Sequence, residues 1–151
     1  MRHISTKQIR EEVAADVEQF GRRSARLPLS DSMRTLLFFT YGAVQQFPKY
    51  EKHSGLAAEI RSSTWLLQEL ILTARRYQRL PPTDSRMRAQ IDRLERIRIR
   101  HEVLKMQVRT AADRKYISLE MYGQWARHLV EIGRQIGGWL ASLYEAKGAA
   151  L

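Results

Sequence analysis

The chain contains no cysteine among its 151 residues. Disulfide bonds, thiolate metal sites and a cysteine nucleophile are therefore excluded, and the composition fits the reducing cytoplasm in which we expect the protein to act. Long apolar runs are also lacking, since stretches such as Leu36–Phe39 fall far short of the roughly 20 residues that span a bilayer. The opening MRHISTKQIREE is charged throughout and has no apolar core of a secretory signal. We therefore expect no membrane association.

Recognisable catalytic signatures are absent as well. The sequence has no G-x-S-x-G, no phosphate-binding P-loop and no H-E-x-x-H. A di-iron bundle would need two Glu-x-x-His pairs on facing helices, whereas this chain has one reversed pair, His128-x-x-Glu131. We predict a protein that is not an enzyme and that has no catalytic residue, metal or cofactor.

Acidic residues are few. There are 16 Asp and Glu against 26 Lys and Arg, so the formal net charge is +10 and the isoelectric point is about 10.4. A domain this basic is a candidate for binding phosphate backbones or an acidic partner. The alternative is a protein with surplus surface charge and no such partner. The hydrophobic fraction of 44% indicates a globular chain rather than a disordered one.

Hydrophobic periodicity predicts an all-α protein with no strands. Long amphipathic helices joined by short polar turns favour an antiparallel up-down four-helix bundle, preceded here by an extra N-terminal helix. We divide the chain into an N-terminal helical arm with a basic linker at 1–30, the bundle domain at 31–146 and a tail at 147–151. The five predicted helices span about 6–22, 30–46, 55–79, 84–115 and 117–144.

Polar residues mark the predicted helix starts, because their side chains can accept hydrogen bonds from the free N–H groups of a first turn. Ser30 or Asp31 is predicted to cap the second helix. The fourth helix is predicted to start at Asp84 or Ser85, and Ser118 is predicted to cap the last helix.

The predicted fourth helix carries two apolar strips at helical spacing. A simple four-helix monomer cannot bury both of them, so the weaker strip is predicted to contact a second copy of the protein. The core strip consists of Ile91, Leu94, Ile97, His101, Leu104, Val108 and Ala112. The weaker strip consists of Ile99, Val103, Met106 and Thr110.

Basic residues lie on both shoulders of this helix. Those between the two strips are Arg86, Arg93, Arg96, Arg100 and Arg114, and those on the opposite shoulder are Arg88, Arg98, Lys105 and Arg109. Arginine predominates, and its planar guanidinium binds phosphate with two hydrogen bonds and stacks on bases. The alternative is a solvated face of i,i+4 ion pairs, for which Arg88–Asp92, Asp92–Arg96 and Arg98–Glu102 have the required spacing. The residues that we predict to bind nucleic acid or a protein partner are Arg86, Arg93, Arg96, Arg100, Lys105 and Arg109.

The predicted last helix contains glycines inside its apolar stripe. Each glycine costs a helix about 0.5–1 kcal/mol relative to alanine. The alternative is that glycines are simply tolerated near a helix end. We predict that Gly133 and Gly137 instead allow close approach of another backbone. The aromatic residues are predicted to lie in the core or at an interface; they are Phe38, Phe39, Tyr41, Trp65, Trp125 and Trp139.

Three segments resemble a family of small four-helix-bundle proteins. That family includes Avd, the accessory variability protein of diversity-generating retroelements, and the ribosomal-RNA intervening-sequence proteins. The segments are EIGRQIGGWLAS at 131–142, the Pro-basic entry Phe47-Pro48-Lys49 that continues through KHSGL into Ala57–Ile60, and the turn Lys115–Ser118. The resemblance covers roughly residues 33–144 and leaves the N-terminal helix largely outside it.

The resemblance implies a non-catalytic accessory function. A protein of this kind binds a retroelement reverse transcriptase and nucleic acid, either template RNA or cDNA, and supports mutagenic retrohoming. The resemblance also implies a homo-oligomeric ring, a pentamer in that family. An intervening-sequence-type protein of undefined role is the near alternative.

A second, weaker resemblance concerns the spacing Arg96-x-x-x-x-His101, which is similar to an element of HEPN ribonucleases. There the histidine would act as a general base and the arginine would stabilise the phosphorane. His101 falls in the predicted core strip, where a hydrogen-bonded core histidine is commoner, so a HEPN-like ribonuclease that uses Arg96 and His101 is kept only as a further alternative.

Overall fold

A computed structural model describes residue 7 and residues 28–149 of the chain. Within this part it contains four α-helices, one short 3-10 helix and no strand. The predicted N-terminal helix and the last two residues of the tail lie outside the described residues. The elements are α1 (Leu29–Ala43), the 3-10 helix (Val44–Gln46), α2 (Gly55–Gln78), α3 (Asp84–Asp113) and α4 (Leu119–Ala149).

The four helices form the predicted antiparallel bundle. Helix α1 packs against α2 and α4, and α3 packs against the same two helices. Helices α1 and α3 therefore lie diagonally across the bundle from each other. Because the turns between successive helices are short, neighbours along the chain run antiparallel. The sequence-based fold class is confirmed for this part of the chain.

One continuous apolar core fills the bundle. Its members recur at three- and four-residue spacing on each helix, which places them on one face. Removing each large apolar side chain from water contributes about 1.5–3 kcal/mol. The largest fully buried side chains include Met33, Leu36, Phe47, Ile60, Leu67, Ile71, Leu94, Ile97, Leu104, Trp125, Ile132 and Ile136.

Two helix starts are capped by side chains. Thr83 Oγ1 accepts a hydrogen bond from the Arg86 backbone N–H at 3.2 Å, and Ser118 Oγ accepts one from the Met121 N–H at 3.1 Å. The cap at Ser118 is as predicted. The predicted cap at Ser30 or Asp31 is wrong, because α1 already begins at Leu29 and follows Pro28 without a side-chain cap. A proline suits this position, since its fixed φ leads directly into a helix.

The turn between α3 and α4 is closed by backbone hydrogen bonds. The Tyr116 N–H donates to the Ala111 carbonyl, and the Lys115 N–H donates to the Ala112 carbonyl, both at 2.9 Å. These bonds form a Schellman motif, which requires a left-handed residue after the helix. Lys115 supplies it with a φ of 60°. The motif ends α3 firmly and returns the chain antiparallel as α4.

Candidate interaction surfaces

Helix α3 presents several arginines to solvent, with Arg96 and Arg100 on one shoulder and Arg98 on the opposite shoulder. Arg96, Arg98 and Arg100 are exposed, and none of them lies within 4.0 Å of a carboxylate oxygen in the described part of the chain. The i,i+4 ion pairs that formed the alternative interpretation are thus not made. We call these three residues the arginine ridge. Arg86 is also exposed, but its Nη1 donates to the Pro81 carbonyl at 2.9 Å at the start of α3.

Arg93 is placed differently from the other predicted binding residues. Its Cζ lies 3.7 Å from the centroid of the Tyr77 ring on α2, and its Nη1 donates to Gln90 Oε1 at 3.1 Å. A guanidinium over an aromatic face is held by cation–π attraction. Arg93 therefore joins α3 to α2, and its guanidinium is already engaged within the bundle.

Lys105 and Arg109 also have partners on their own helix. Lys105 Nζ lies 3.2 Å from Glu102 Oε1, and Arg109 Nε lies 4.0 Å from Asp113 Oδ2. These side chains are exposed, and such surface pairs contribute little to stability, at most about 1 kcal/mol. Both cations remain accessible to a partner, although each must first give up or share its carboxylate.

The second apolar strip of α3 is exposed, as its spacing predicts. Ile99 is 63% exposed and Met106 is 69% exposed, with Val103 between them. Val130 of α4 is 64% exposed and lines the shallow groove between α3 and α4. We call Ile99, Val103, Met106 and Val130 the aliphatic strip. Apart from Val130, it lies on the same helix as the arginine ridge.

A second exposed apolar surface lies on α1 and α2. Phe38 is 67% exposed and Trp65 is 52% exposed, with Tyr41 and Leu72 beside them. Trp65 Nε1 donates to Tyr41 Oη at 3.0 Å, so the two rings are held together across the helices. An open cleft of about 770 Å³ includes Tyr41, Trp65 and Leu72. We call Phe38, Tyr41, Trp65 and Leu72 the aromatic face.

The other three aromatic residues of the predicted set, Phe39, Trp125 and Trp139, lie inward. Trp125 and Phe39 are buried, with ring centroids 6.2 Å apart, while Trp139 is half-buried at the edge of the core. The core part of the prediction is confirmed for Phe39 and Trp125, whereas an interface at the exposed residues stays a prediction. The available signal was that Trp65 sits one position off the buried stripe of Ile60, Thr64 and Leu67.

Gly133 is explained by a side chain rather than by a second backbone. A Cβ at this position would lie 2.7 Å from Cε1 of His101. His101 Nε2 is 2.7 Å from the Leu129 carbonyl oxygen, and because a carbonyl only accepts, Nε2 carries the proton. Burial lowers the pKa of His101, with the Leu129 hydrogen bond opposing that effect. The predicted backbone contact at Gly133 is wrong, since the glycine makes room for an imidazole that ties α3 to α4.

Gly137 has no such neighbour. A Cβ there would meet no atom within 4 Å in the described part of the chain. None of the described helices therefore approaches Gly137 closely. Together with Gly133 and Val130, it lines the groove between α3 and α4, so a contact at Gly137 would have to come from outside residues 28–149.

The bundle does not bring Arg96 and His101 together for ribonuclease chemistry. Arg96 is exposed, whereas His101 is 4% exposed and points under α4 to the Leu129 carbonyl. The groove that reaches His101 is lined by Arg98 and Lys105 but not by Arg96. A general base and its stabilising cation would have to flank one phosphate, and this pair does not.

A second buried histidine was not singled out by the sequence analysis. His128 of α4 is 5% exposed, and its ring centroid lies 4.8 Å from that of Phe39 on α1. Its Nε2 has no hydrogen-bond partner among the described residues. Burial lowers the pKa of His128 to about 4. His128 is therefore a neutral core residue at physiological pH.

Within residues 28–149, no cluster of three or more His, Asp or Glu side chains could hold a metal ion. None of the helices described here is both long and apolar enough to cross a membrane.

The fold and these surfaces define a class of protein: a basic four-helix bundle that exposes arginines on one helix and apolar side chains on two sides. The model of the bAvd-like family matches residues 27–143. The chain therefore belongs to the bAvd-like family, a family of accessory proteins, which confirms the resemblance inferred from the sequence. No curated protein matches the chain.

Proposed function

We propose that this protein is a non-catalytic accessory subunit. It binds a retroelement reverse transcriptase together with nucleic acid, either template RNA or cDNA, and thereby supports mutagenic retrohoming. Membership of the bAvd-like family supports the accessory role. The observation that carries the nucleic-acid part of the proposal is the arginine ridge, whose three guanidiniums are exposed and unpaired within residues 28–149.

The ridge suits phosphate rather than base recognition. Each guanidinium that meets a phosphate displaces condensed counterions, so binding weakens steeply as salt is added. The three arginines lie on one exposed helix, with Arg96 and Arg100 on one shoulder and Arg98 on the opposite shoulder. The described part of the chain places no strand platform or metal cluster beside them for reading bases. We expect recognition of charge and shape, with Lys105, Arg109 and Arg86 at the margins of the contact.

We further propose that the protein assembles into a closed ring, a pentamer by family resemblance. The aromatic face lies on α1 and α2, and the aliphatic strip lies on α3 and α4. Two different surfaces that fit each other form a head-to-tail contact, which closes into a ring when the rotation per subunit allows it. The open cleft beside Trp65 can receive the projecting side chains of Ile99 and Met106. A ring would repeat the arginine ridge around its perimeter.

The test combines nucleic-acid binding with capture of the enzyme. The double variant Arg96→Gln/Arg100→Gln is compared with the unchanged protein and with Arg34→Gln, which removes an exposed arginine from α1, diagonally across the bundle. The logarithm of the association constant for a structured RNA is measured against the logarithm of the salt concentration. Losing two phosphate contacts should reduce the slope by roughly 2.

Each outcome decides between the hypotheses. A reduced slope in the double variant and an unchanged slope in Arg34→Gln would support the ridge. Equal slopes for all three proteins would refute it. Co-purification with a diversity-generating reverse transcriptase distinguishes the accessory role from the intervening-sequence alternative, because RNA binding without capture of the enzyme would favour the latter.

A further inference from the structure

A cleft lies at the end of the bundle where α1 begins, between the end of α2 and the second half of α4. Gln135 of α4 donates from Nε2 to Ser32 Oγ of α1 at 2.8 Å. Helix α4 then runs on to Ala149, about 20 Å further at 1.5 Å per residue, whereas α1 starts only three residues before Ser32. The resulting gap between α2 and α4 has a volume of about 620 Å³, which is within the range of small-molecule sites.

Three arginines line this cleft: Arg75 and Arg79 from the end of α2, and Arg134 from α4. Arg134 is already bound by Glu131, with nitrogen–oxygen distances of 2.7 and 3.1 Å, which neutralises it. Arg75 and Arg79 form no ion pair with any residue between 28 and 149. Two guanidiniums therefore face the cleft without a carboxylate in the described part of the chain, which suits a phosphate group.

An aromatic platform lies beside these arginines. The indole of Trp139 lines the cleft, and its Nε1 donates to Gln78 Oε1 at 3.1 Å. The same oxygen accepts from Gln90 Nε2 at 3.0 Å, and Gln90 Nε2 also donates to the Ala74 carbonyl at 2.7 Å. This network spans α2, α3 and α4, and it fixes the plane of the indole before any ligand arrives.

We propose that this cleft binds a nucleoside phosphate. The base stacks on Trp139, as bases stack on aromatic side chains in proteins that bind single strands, and the phosphate is held by Arg75 and Arg79. The ligand is either a free nucleotide or the 5′-phosphorylated terminal nucleotide of a single strand. The cleft lies on a different part of the bundle from the arginine ridge, so this proposal does not depend on the accessory function.

The experiment follows Trp139 directly. The full chain is labelled with 5-fluorotryptophan, which gives one fluorine signal each for Trp65, Trp125 and Trp139, and Trp139→Phe assigns the last of these. The probes are adenosine 5′-monophosphate, adenosine, inorganic phosphate, and a single-stranded RNA hexamer with a 5′-phosphate or a 5′-hydroxyl. We expect adenosine 5′-monophosphate and the phosphorylated hexamer to move the Trp139 signal, and the other three probes to bind at least tenfold more weakly.

Matched charge reversals separate the cleft from the general positive charge. Arg75→Glu or Arg79→Glu should weaken binding at least tenfold, whereas Arg76→Glu, on the same turn of α2 but outside the cleft lining, should change it less than twofold. Tighter binding of adenosine 5′-monophosphate would identify the ligand as a free nucleotide, and tighter binding of the phosphorylated hexamer would identify it as a strand end. An unmoved Trp139 signal, an equal response to inorganic phosphate, or an equal loss in Arg76→Glu would each overturn the proposal. Arg96→Gln/Arg100→Gln should leave this response intact, so failure of the ridge hypothesis is recognised separately.

Discussion

The α1–α2 side of the bundle and the outer side of α3 are both rich in exposed apolar residues, but their chemistry differs. The α1–α2 side carries aromatic rings around an open cleft, with Trp65 at its centre. The outer side of α3 carries flexible aliphatic residues such as Met106, set among guanidiniums. Large exposed apolar patches on a small protein generally mark contact sites.

The difference between the two sides bears on how copies of the protein can associate. Two aromatic faces do not complement each other, because the open cleft of one copy cannot be filled by the same cleft of another. A cleft that meets projecting side chains gives a head-to-tail contact instead.

The largest effect is expected from charge placed in either contact surface. Trp65→Glu or Met106→Glu should each weaken assembly at least a hundredfold, about 3 kcal/mol, because interface energy concentrates in a few buried anchors. Light-scattering mass measures the effect. Leu119→Glu serves as the control, since Leu119 is 82% exposed at the start of α4 and belongs to neither surface.

Mixing the two variants sharpens the comparison. In a head-to-tail contact, Trp65→Glu retains an intact aliphatic strip and Met106→Glu retains an intact aromatic face. One intact pair of contact surfaces therefore remains between the two variants. Their mixture should form a dimer that cannot add further subunits. Two monomers that stay apart on mixing would contradict the head-to-tail arrangement.

The next effect concerns pH, at the place where α1 meets α4. Burial lowers the pKa of His128 to about 4, from 6.5 in the unfolded chain, so the unfolded chain takes up its proton first as the pH falls. Stability is therefore full above about pH 6.5 and is lost between pH 6.5 and 4, by up to about 3 kcal/mol. The lowered pKa of His101 acts in the same direction.

Chemical denaturation at pH 7 and pH 4.5 measures this loss. His128→Phe keeps a ring against Phe39 and removes the titrating group, so it should reduce the difference between the two pH values by about 2 kcal/mol. His53→Gln, an exposed loop histidine, is the control and should leave the difference unchanged. An undiminished acid loss in His128→Phe would show that other groups cause it.

A matched pair of glycine variants tests the contact between His101 of α3 and Gly133 of α4. Gly133→Ala forces the His101 ring away from the Leu129 carbonyl, and such overpacking costs about 1–3 kcal/mol. Gly137→Ala meets nothing within 4 Å and should stabilise the subunit by up to about 1 kcal/mol through helix propensity. Thermal unfolding measures both variants.

The control for Gly133→Ala is the same substitution in a chain that lacks the His101 imidazole. In a His101→Ala background, the added methyl group of Gly133→Ala no longer meets an imidazole, and most of its cost should disappear. If Gly133→Ala costs as much in that background, the imidazole contact is not the reason for the glycine. If Gly137→Ala instead weakens assembly while stabilising the subunit, the open glycine is needed for contact with another copy.

The smallest effect is expected at the turn between α3 and α4. Lys115 adopts a left-handed conformation with a φ of 60°, which costs a residue with a Cβ about 1 kcal/mol. Lys115→Gly should therefore stabilise the chain by about 0.5–1 kcal/mol, reduced by the greater freedom of glycine when unfolded. Unfolding midpoints compared with those of Arg114→Gly, whose φ is −79°, provide the check.

The bundle itself was predictable because periodicity is a local property. The spacing of Ile91, Leu94, Ile97 and Leu104 identifies the buried face of α3 without knowledge of what packs on it. The same spacing shows that Ile99 and Met106 cannot share that face. The cap at Ser118 was predictable for the same reason, since the capped N–H lies three residues away. The cap at Thr83 was missed because several polar residues adjoin it.

The sites depend on groups that are distant in the chain. Six arginines and lysines were predicted to act together, but Arg93 lies over Tyr77 of a neighbouring helix. Lys105 and Arg109 are paired with two carboxylates of their own helix. No spacing rule within α3 reveals the first of these contacts. The cleft at Trp139 likewise is lined by residues of α1, α2 and α4 that are distant in the chain.

The sequence by itself determined the helical class, the bundle, the basic character and the family, because all of these depend on patterns within one helix or one short turn. Only the tertiary structure decided that Gly133 accommodates His101, that Trp65 faces outward while Trp125 is buried, and which arginines remain exposed. The physical reason is that a helical pattern fixes the direction of a side chain relative to its own axis. What that side chain meets is fixed by how the four axes are packed together.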